Sequence, residues 1–499
     1  MSEADSMDAA ASVSTEGVPY GVQLQLRAET DPDGVGLVTV SPGGTDRVLT
    51  WGELDRRANQ WARTLADEGA GVGSLVAMGI PNSPELVLAA LGCWKIGAVP
   101  IPMRWDLPEW ERKRLLDVID AAVVIGDDNC PAVAAAAANQ SDAPVPDAVS
   151  PMVNGICSSG STGLPKVILS TQPALWTPRL NEPFLAHWAP VTQPQTILVP
   201  APLYHTNGFN TLNFLLGGDP LIVLEKFDAA VVLDVIERHR VTHFTATPTM
   251  LARIANVPGV ARRDLSSVVW IMLGAAVMPP TLMRTWFDLL SPEQVVVAYG
   301  MTEQLGLTAL RGDEWLTHPG SVGRGFRDTE IRILDADGNE VPDGRIGEIY
   351  LRAPMSGAYR YVGGAPPLPS TPDGFHTGGD LGYLDGDGYL YVADRRADMI
   401  VTGGANVFPA EVESALADHD AIADVVVIGL RDAEWGRRVH AVVQPVDAAH
   451  PPTEHDVIGY AKSRLAGYKV PKSVEFVATI PRTAATKVNR SAMIDARGG

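Results

Sequence analysis

A chain of 499 residues is too long for one hydrophobic core, so two or more domains are expected. With 46% hydrophobic and 20% charged residues it reads as globular, and a net charge of −20 excludes nonspecific affinity for nucleic acid or an anionic membrane. The three cysteines, Cys93, Cys130 and Cys157, are scattered and form neither a disulfide framework nor a zinc pattern, which suits a reducing, cytoplasmic setting.

Residues 1–17 are acidic and Ala/Ser-rich, without the basic-then-apolar order of a signal peptide, and a disordered tail is expected over 1–20. No apolar run reaches the roughly 18 residues of a membrane span. Thr50-Trp51-Gly52-Glu53 reads as a capping box. Leu54, Ala58, Trp61, Ala62 and Leu65 then recur at helical spacing until Glu68-Gly69. A buried strand is expected over 74–80, a helix over 84–95, a strand over 97–101, and another within 117–126. Further on, strands are predicted at 196–199, 221–224, 241–246, 268–273 and 294–299, with helices at 229–240, 248–256 and 280–290. This alternation predicts doubly wound α/β layers.

Beyond about residue 320 short strands at 331–334, 347–352 and 389–393 are divided by Asp-Gly turns, which predicts a small β subdomain. Asp394-Arg395-Arg396-Ala397-Asp398 is a charged break, and the last hundred or so residues predict a compact α+β module with helices at 409–417 and 455–465 and strands at 422–430, 438–445 and 473–476. The expected division is 21–394 and 395–499.

The segment carrying most chemistry is Cys157-Ser158-Ser159-Gly160-Ser161-Thr162-Gly163-Leu164-Pro165-Lys166, with apolar runs on both sides. Such a strand–loop–strand can wrap backbone N–H groups and hydroxyls around a polyphosphate, with an ammonium at its end. It is not a Walker loop, since Pro165 precedes the lysine and Val167 follows it. A flexible surface turn is the plainer reading. Cys157 reads as a buried, inert thiol rather than a reactive one. Tyr299-Gly300-Met301-Thr302-Glu303 follows a buried strand, where ligands of α/β sheets bind. Glu303 there suits Mg²⁺, a hard cation that needs few protein ligands when phosphates supply the rest. Thr302-Glu303 is equally ordinary capping chemistry.

Together these segments resemble the adenylate-forming superfamily, of the free-standing acyl-CoA synthetase type. The resemblance runs from about residue 25 to Arg490 through 158–166, PLYHTNG at 202–208, LGAAVMP at 273–279, YGMTE at 299–303, 378–400, GGANVFPAEVE at 403–413 and PRTAATKVNR at 481–490. It implies a large α/β amino-terminal domain, a mobile carboxy-terminal domain, and ATP, Mg²⁺ and CoA as ligands. By the same resemblance Ser158, Ser159, Gly160, Ser161, Thr162, Gly163 and Lys166 hold the β- and γ-phosphates. Gly274, Ala275, Ala276 and Tyr299, with Gly300, flank the adenine. Thr302 meets the α-phosphate and Glu303 the metal. Asp380, helped by Arg395, holds the ribose. Lys487 bridges the substrate carboxylate and the α-phosphate. Gly403 and Gly404 line the pantetheine path after the small domain rotates. His205 gates the acyl pocket, although a lone histidine is as well read as a hydrogen-bonded structural group.

The residues at 467–472 match a segment of free-standing CoA ligases, or are a solvated basic turn. Trp176 and Trp188 read as packing rather than pocket walls. Three positions depart from the family pattern: Gly378 where threonine is usual, Ala397 at the hinge, and Thr486 in place of glycine before Lys487. The implied activity is ATP-dependent activation of a bulky hydrophobic, fatty, aryl or steroid-type acid and its transfer to CoA. An amine or carrier-protein acceptor, or a noncatalytic ligand-binding relative, are the alternatives. With twelve residues after Lys487, no fused carrier domain is expected. The oligomeric state stays open, a homodimer included.

Overall fold

The computed structural model describes residues 17–159, 165–276, 278–395, 398–402, 405–432, 434–482 and 488–498. Its centre is a nine-stranded sheet in the spatial order Arg324–Phe326, Leu307–Arg311, Val295–Gly300, Trp270–Leu273, His243–Ala246, Ile197–Val199, Leu221–Leu224, Val35–Val40, Asp46–Thr50. The strands from Val295–Gly300 across to Val35–Val40 run parallel, and antiparallel pairing appears only toward the two edges.

Strand alternation divides the side chains between two cores. Leu37, Ile197, Val199, Leu221 and Val223 face one of them, while Val38, Leu198, Ile222 and Leu224 face the other. The first core is filled by the helices Trp51–Asp67 and Pro84–Lys95, which are covered beyond by a parallel three-stranded sheet of Val99–Pro102, Leu75–Gly79 and Val123–Gly126. The second takes the helices Ala229–His239, Pro248–Ala255 and Pro280–Leu289.

Local signals explain the helix starts. Glu53 N donates to Thr50 Oγ1 at 3.2 Å and Thr50 N to the Glu53 carboxylate at 3.0 Å, completing the capping box. Ser83 caps Leu86 N at 3.2 Å, with Pro84 in the first turn. A side chain on Gly92 would begin 2.9 Å from Trp61 Cβ and 3.0 Å from Ala62 N, so the glycine permits the close crossing of these two helices.

An antiparallel three-stranded sheet of Gly155–Ser159, Pro165–Ser170 and Tyr359–Tyr361 flanks the glycine-rich segment. Beside it lies a four-stranded antiparallel sheet of Glu330–Leu334, Gly347–Arg352, Asp380–Leu384 and Leu390–Arg395. The carboxy-terminal part pairs Ile422–Asp432 with Gly436–Pro445, adds Ser473–Phe476 in parallel, and packs the helices Pro409–Ala417, Glu454–Lys462 and Arg490–Asp495 around it. Its two cores draw only on described residues from Ile400 onward. Among the helices that went unanticipated are Glu109–Ile119, Cys130–Ala138 and Tyr20–Thr30, the last beginning within the stretch expected as a disordered tail. Among the described residues no helix is long and apolar enough to cross a membrane.

Candidate active site

Parallel strands place their carboxyl ends on one edge of the sheet, and the sequence-predicted residues gather there. Val295–Gly300 ends in Tyr299 and Gly300 and turns through residues 301–304, where Gln304 has φ 54°. Its neighbour Trp270–Leu273 runs into Gly274 and Ala275, and Ala275 has φ 71°. Non-glycine residues in the left-handed region are uncommon, and both of these lie in the segments that follow strand ends at this edge. Ile197–Val199 leads to Tyr204, His205 and Thr206, with His205 preceding the short helix Thr206–Phe209.

Side-chain contacts then join distant segments. Thr302 and Thr206 share a hydroxyl–hydroxyl hydrogen bond of 2.8 Å. The Tyr299 hydroxyl donates to Asp380 Oδ2 at 2.7 Å, and Asp380 is 7% exposed. Asp380 and Arg395 are backbone partners across their two strands. The Tyr361 hydroxyl donates to Glu303 Oε1 at 2.9 Å, and Lys166 Nζ stands 5.0 Å from the centre of the Tyr361 ring. A side chain on Gly274 would lie 3.5 Å from Ala298 O and 3.9 Å from Asn207 Nδ2, which puts the Gly274–Ala276 segment between Tyr299 and the histidine segment. Glu303, Thr302, Tyr299, Asp380 and Lys166 are therefore brought to one site.

Electrostatics fix several protonation states. Burial first, and the neighbouring Glu303 carboxylate second, push the Tyr361 hydroxyl far above the ordinary tyrosine range, so it remains a donor. Burial lifts Tyr204 to about 12. Burial also raises the Cys157 thiol to about 12, which keeps it protonated, although the residue is only partly buried rather than fully enclosed as expected. The His205 ring lies 4.5 Å from that of Tyr204 and is half-buried.

Other expectations land elsewhere. Trp176 is buried and donates to Asn213 O at 3.2 Å, and Trp188 stacks on Phe326, so both are packing residues. Lys469 is ion-paired with Glu411, and Lys472 lies 5.4 Å from the Trp435 ring centre, so this basic segment is already engaged within its own module. Val167 is completely buried in a strand that resumes directly after the loop. Gly160, Ser161, Thr162, Gly163, Gly403, Gly404, Thr486 and Lys487 lie outside the described residues, as do Ala397 and the side chains of Ser158, Ser159 and Arg395.

Three contributors were not assigned from sequence. Thr206 lay inside a quoted motif without a role. Tyr361 is one of two aromatics spaced by two on the strand Tyr359–Tyr361, a spacing that puts both on one face but names no partner. Met301 fills the space in front of Gly378, where an added Cβ would stand 2.7 Å from its Sδ.

The donor set fits Mg²⁺ bound together with a polyphosphate. Glu303 has one oxygen occupied by Tyr361 and another to offer, and hydroxyls lie beside it. Among the described residues no three His, Cys, Asp or Glu side chains converge into a cage. A small hard cation sharing its shell with substrate oxygens matches this arrangement.

Comparison with known proteins agrees with the geometry. The AMP-binding enzyme family matches residues 24–360, and the AMP-binding enzyme C-terminal domain matches residues 411–487. The chain is 34% identical over 472 residues to a feruloyl-CoA synthase of an Amycolatopsis species, covering 90% of this chain and 94% of that protein. Among solved structures it is similar to the o-succinylbenzoate CoA synthetase of Bacillus subtilis in complex with its acyl-adenylate intermediate, with TM-score 0.79, 27% identity, and 94% and 97% of the two chains covered. It is also similar to an amide bond synthetase from Marinactinospora thermotolerans, with TM-score 0.77, 25% identity, and 96% and 99% covered. A strand-edge site joining a tyrosine–aspartate pair, a glutamate and a loop-end lysine, on a fold matched along nearly all its length, places this chain in the AMP-binding enzyme family.

Proposed function

We propose that the protein activates a bulky, ring-bearing carboxylic acid with ATP and transfers the acyl group to CoA. A carboxylate is a poor electrophile because its leaving group would be an oxide. Attack of a carboxylate oxygen on the α-phosphorus forms a new P–O bond and expels pyrophosphate. In the resulting acyl-adenylate the leaving group is AMP. The CoA thiol then loses its proton and attacks the acyl carbon, and the C–O bond to AMP breaks.

Each residue offsets a specific cost of this chemistry. Two anions must meet in the first step, so preorganised positive charge and N–H dipoles lower the barrier. Lys487 would stand between the carboxylate and the α-phosphate, and Lys166 with the segment 158–163 would hold the outer phosphates. Glu303 would hold Mg²⁺, which when bound neutralises phosphate charge and polarises the reacting phosphoryl oxygen. Thr302, oriented by Thr206, would donate to the α-phosphate. Asp380, held by Tyr299, would accept from the ribose hydroxyls, with Arg395 alongside. Gly274, Ala275, Ala276 and Gly300 would leave room for the adenine. His205 would border the acyl group, and Gly403 and Gly404 the pantetheine.

We place the pivot between the domains at residues 394–397. The Asp394 carboxylate accepts from Ala410 N at 2.9 Å, capping the first helix of the small domain from the boundary itself. A ring-bearing acid is preferred over a fatty one because the relatives named above carry feruloyl and succinylbenzoate in their names.

The observation that carries this reading is the meeting of Lys166, Thr302, Glu303 and the Tyr299–Asp380 pair at one strand edge. Its test is pyrophosphate release over a panel of aryl, fatty and steroid acids with ATP, Mg²⁺ and CoA. Aryl acids are expected to give AMP and a thioester, and E303Q and K487A to lower the adenylation rate by two to three decades. No carboxylate-dependent pyrophosphate with any acid, or unchanged adenylation in K487A, would overturn the proposal. The likeness to an amide bond synthetase supports a second reading, in which an amine replaces CoA. AMP formed with an amide in the presence of amines, and no thioester with CoA, would select it.

A further inference from the structure

We infer that Tyr361 is a positioning residue that sets Glu303 and Lys166 at a working distance from each other around the metal–nucleotide. The inference rests on the roles proposed above for Glu303 and Lys166, and adds a residue for which no role has been assigned.

The backbone fixes where Tyr361 stands. Tyr359–Tyr361 pairs antiparallel with Pro165–Ser170, with Tyr361 opposite Ile168, and Val362 N donates to Val167 O at 2.9 Å. The tyrosine is thus locked in register with the strand that begins at the glycine-rich loop. Only 6% of it is exposed, and Tyr359 packs against it edge-on at 5.4 Å.

Its two ends then meet opposite charges. The hydroxyl donates to Glu303 Oε1 at 2.9 Å, while the ring lies 5.0 Å from Lys166 Nζ. The first contact occupies one carboxylate oxygen and leaves Oε2 for a cation. Carboxylates that bind metals are oriented in this way by a second hydrogen bond. The second contact is a cation–π interaction, which attracts the ammonium without neutralising it. A lysine and a glutamate free to meet directly in a half-buried site would form an ion pair, and neither would remain for the substrate. Among the described residues neither makes an ion pair. The phenol acts as a spacer between them.

The experiment compares Y361F and Y361L in the full-length protein, by calorimetric titration of ATP at a series of MgCl₂ concentrations. No acid is present, so the readout is binding and does not depend on knowing the substrate. Y361F keeps the ring and loses the donor. It is expected to raise the Mg²⁺ needed for half-maximal ATP binding about tenfold, with ATP affinity at saturating Mg²⁺ within twofold of wild type. Y361L is expected to weaken ATP binding at saturating Mg²⁺ as well. Unchanged Mg²⁺ dependence in Y361F overturns the inference, as does an equal loss of ATP affinity in both variants at saturating metal. Y361F alone is decisive where Y361L fails to fold. Wild-type protein that binds ATP with no metal dependence would overturn the proposed role of Glu303, and this inference with it.

Discussion

Gly378 is understood through Met301. Where relatives are expected to carry a threonine, this chain has a glycine, and an added Cβ would lie 2.7 Å from Met301 Sδ and 2.8 Å from its Cε. The neighbouring Thr377 is fully engaged, donating to Glu348 at 2.9 Å and accepting from Gly379 N at 3.0 Å. A bulky thioether has therefore taken the room of the missing side chain. G378T should destabilise the protein by about 1–3 kcal/mol through overpacking. The double variant M301A/G378T should recover most of that, a coupling measurable by urea unfolding in a double-mutant cycle. Additive effects would show that the two residues do not share the space.

Glu303, Tyr299 and Asp380 could be singled out from sequence because each sits in a run that carries the family resemblance, and the fold joins Tyr299 to Asp380. Tyr361 and Met301 were not legible, since their contacts join segments far apart in sequence. Tyr361 and Glu303 are 58 positions apart.

At the scale of the element, legibility followed the strength of local signals. Pro84–Lys95 and Pro409–Ala417 were read to the residue, each opened by a proline in its first turn, and so were Leu221–Leu224, a short apolar run, and Ser473–Phe476, an alternating polar–apolar one. Glu109–Ile119 escaped because its N-cap is Pro108 with no side-chain cap bond, and only Leu115 and Ile119 are buried. Cys130–Ala138 escaped because a run of alanines gives no contrast between faces.

The strand His243–Ala246 carries a titration in its interior. His243 stacks on Trp270 at 3.7 Å, and burial holds its pKa down to about 3 from the ordinary 6.5. The unfolded chain takes up a proton below pH 6.5 that the folded chain refuses until about pH 3, so stability falls as pH drops through that window. His440 is depressed in the same sense, again chiefly by burial. Asp219 runs the other way. Burial raises it from 3.8 to about 6, so its contribution declines as pH rises across that interval. In H243N the urea midpoint should decline less steeply than in wild type between pH 6.5 and 4.5. Parallel slopes would remove His243 from the account.

At the scale of the whole molecule, a side-chain bond joins the large and small domains far from the chain's crossing between them. Thr281 Oγ1, on the helix Pro280–Leu289, donates to Asp418 Oδ1 at 2.9 Å, just past the end of Pro409–Ala417. The pair is exposed, so its own stability contribution is small. A disulfide in T281C/D418C would hold the present arrangement. If the two half-reactions need different domain orientations, the oxidised variant should keep one and lose the other, with overall turnover down at least tenfold and restored by reductant. Full turnover in the oxidised form would argue against rotation. The two-domain pattern was visible in the sequence as two textures on either side of a charged stretch. The contacts across it were not, since Thr281 and Asp418 are ordinary surface residues.

The small domain's interior has one further consequence. Among the described residues its hydrophobic clusters recruit only its own side chains, from Ile400 to Ile494. Within it Arg490 bonds Glu413 at 2.7 Å and Asp398 at 3.3 Å. A unit that furnishes its own interior can be exchanged for the equivalent unit of a relative without opening the catalytic half. Acid preference and acceptor preference could then be inherited, or engineered, as separate traits.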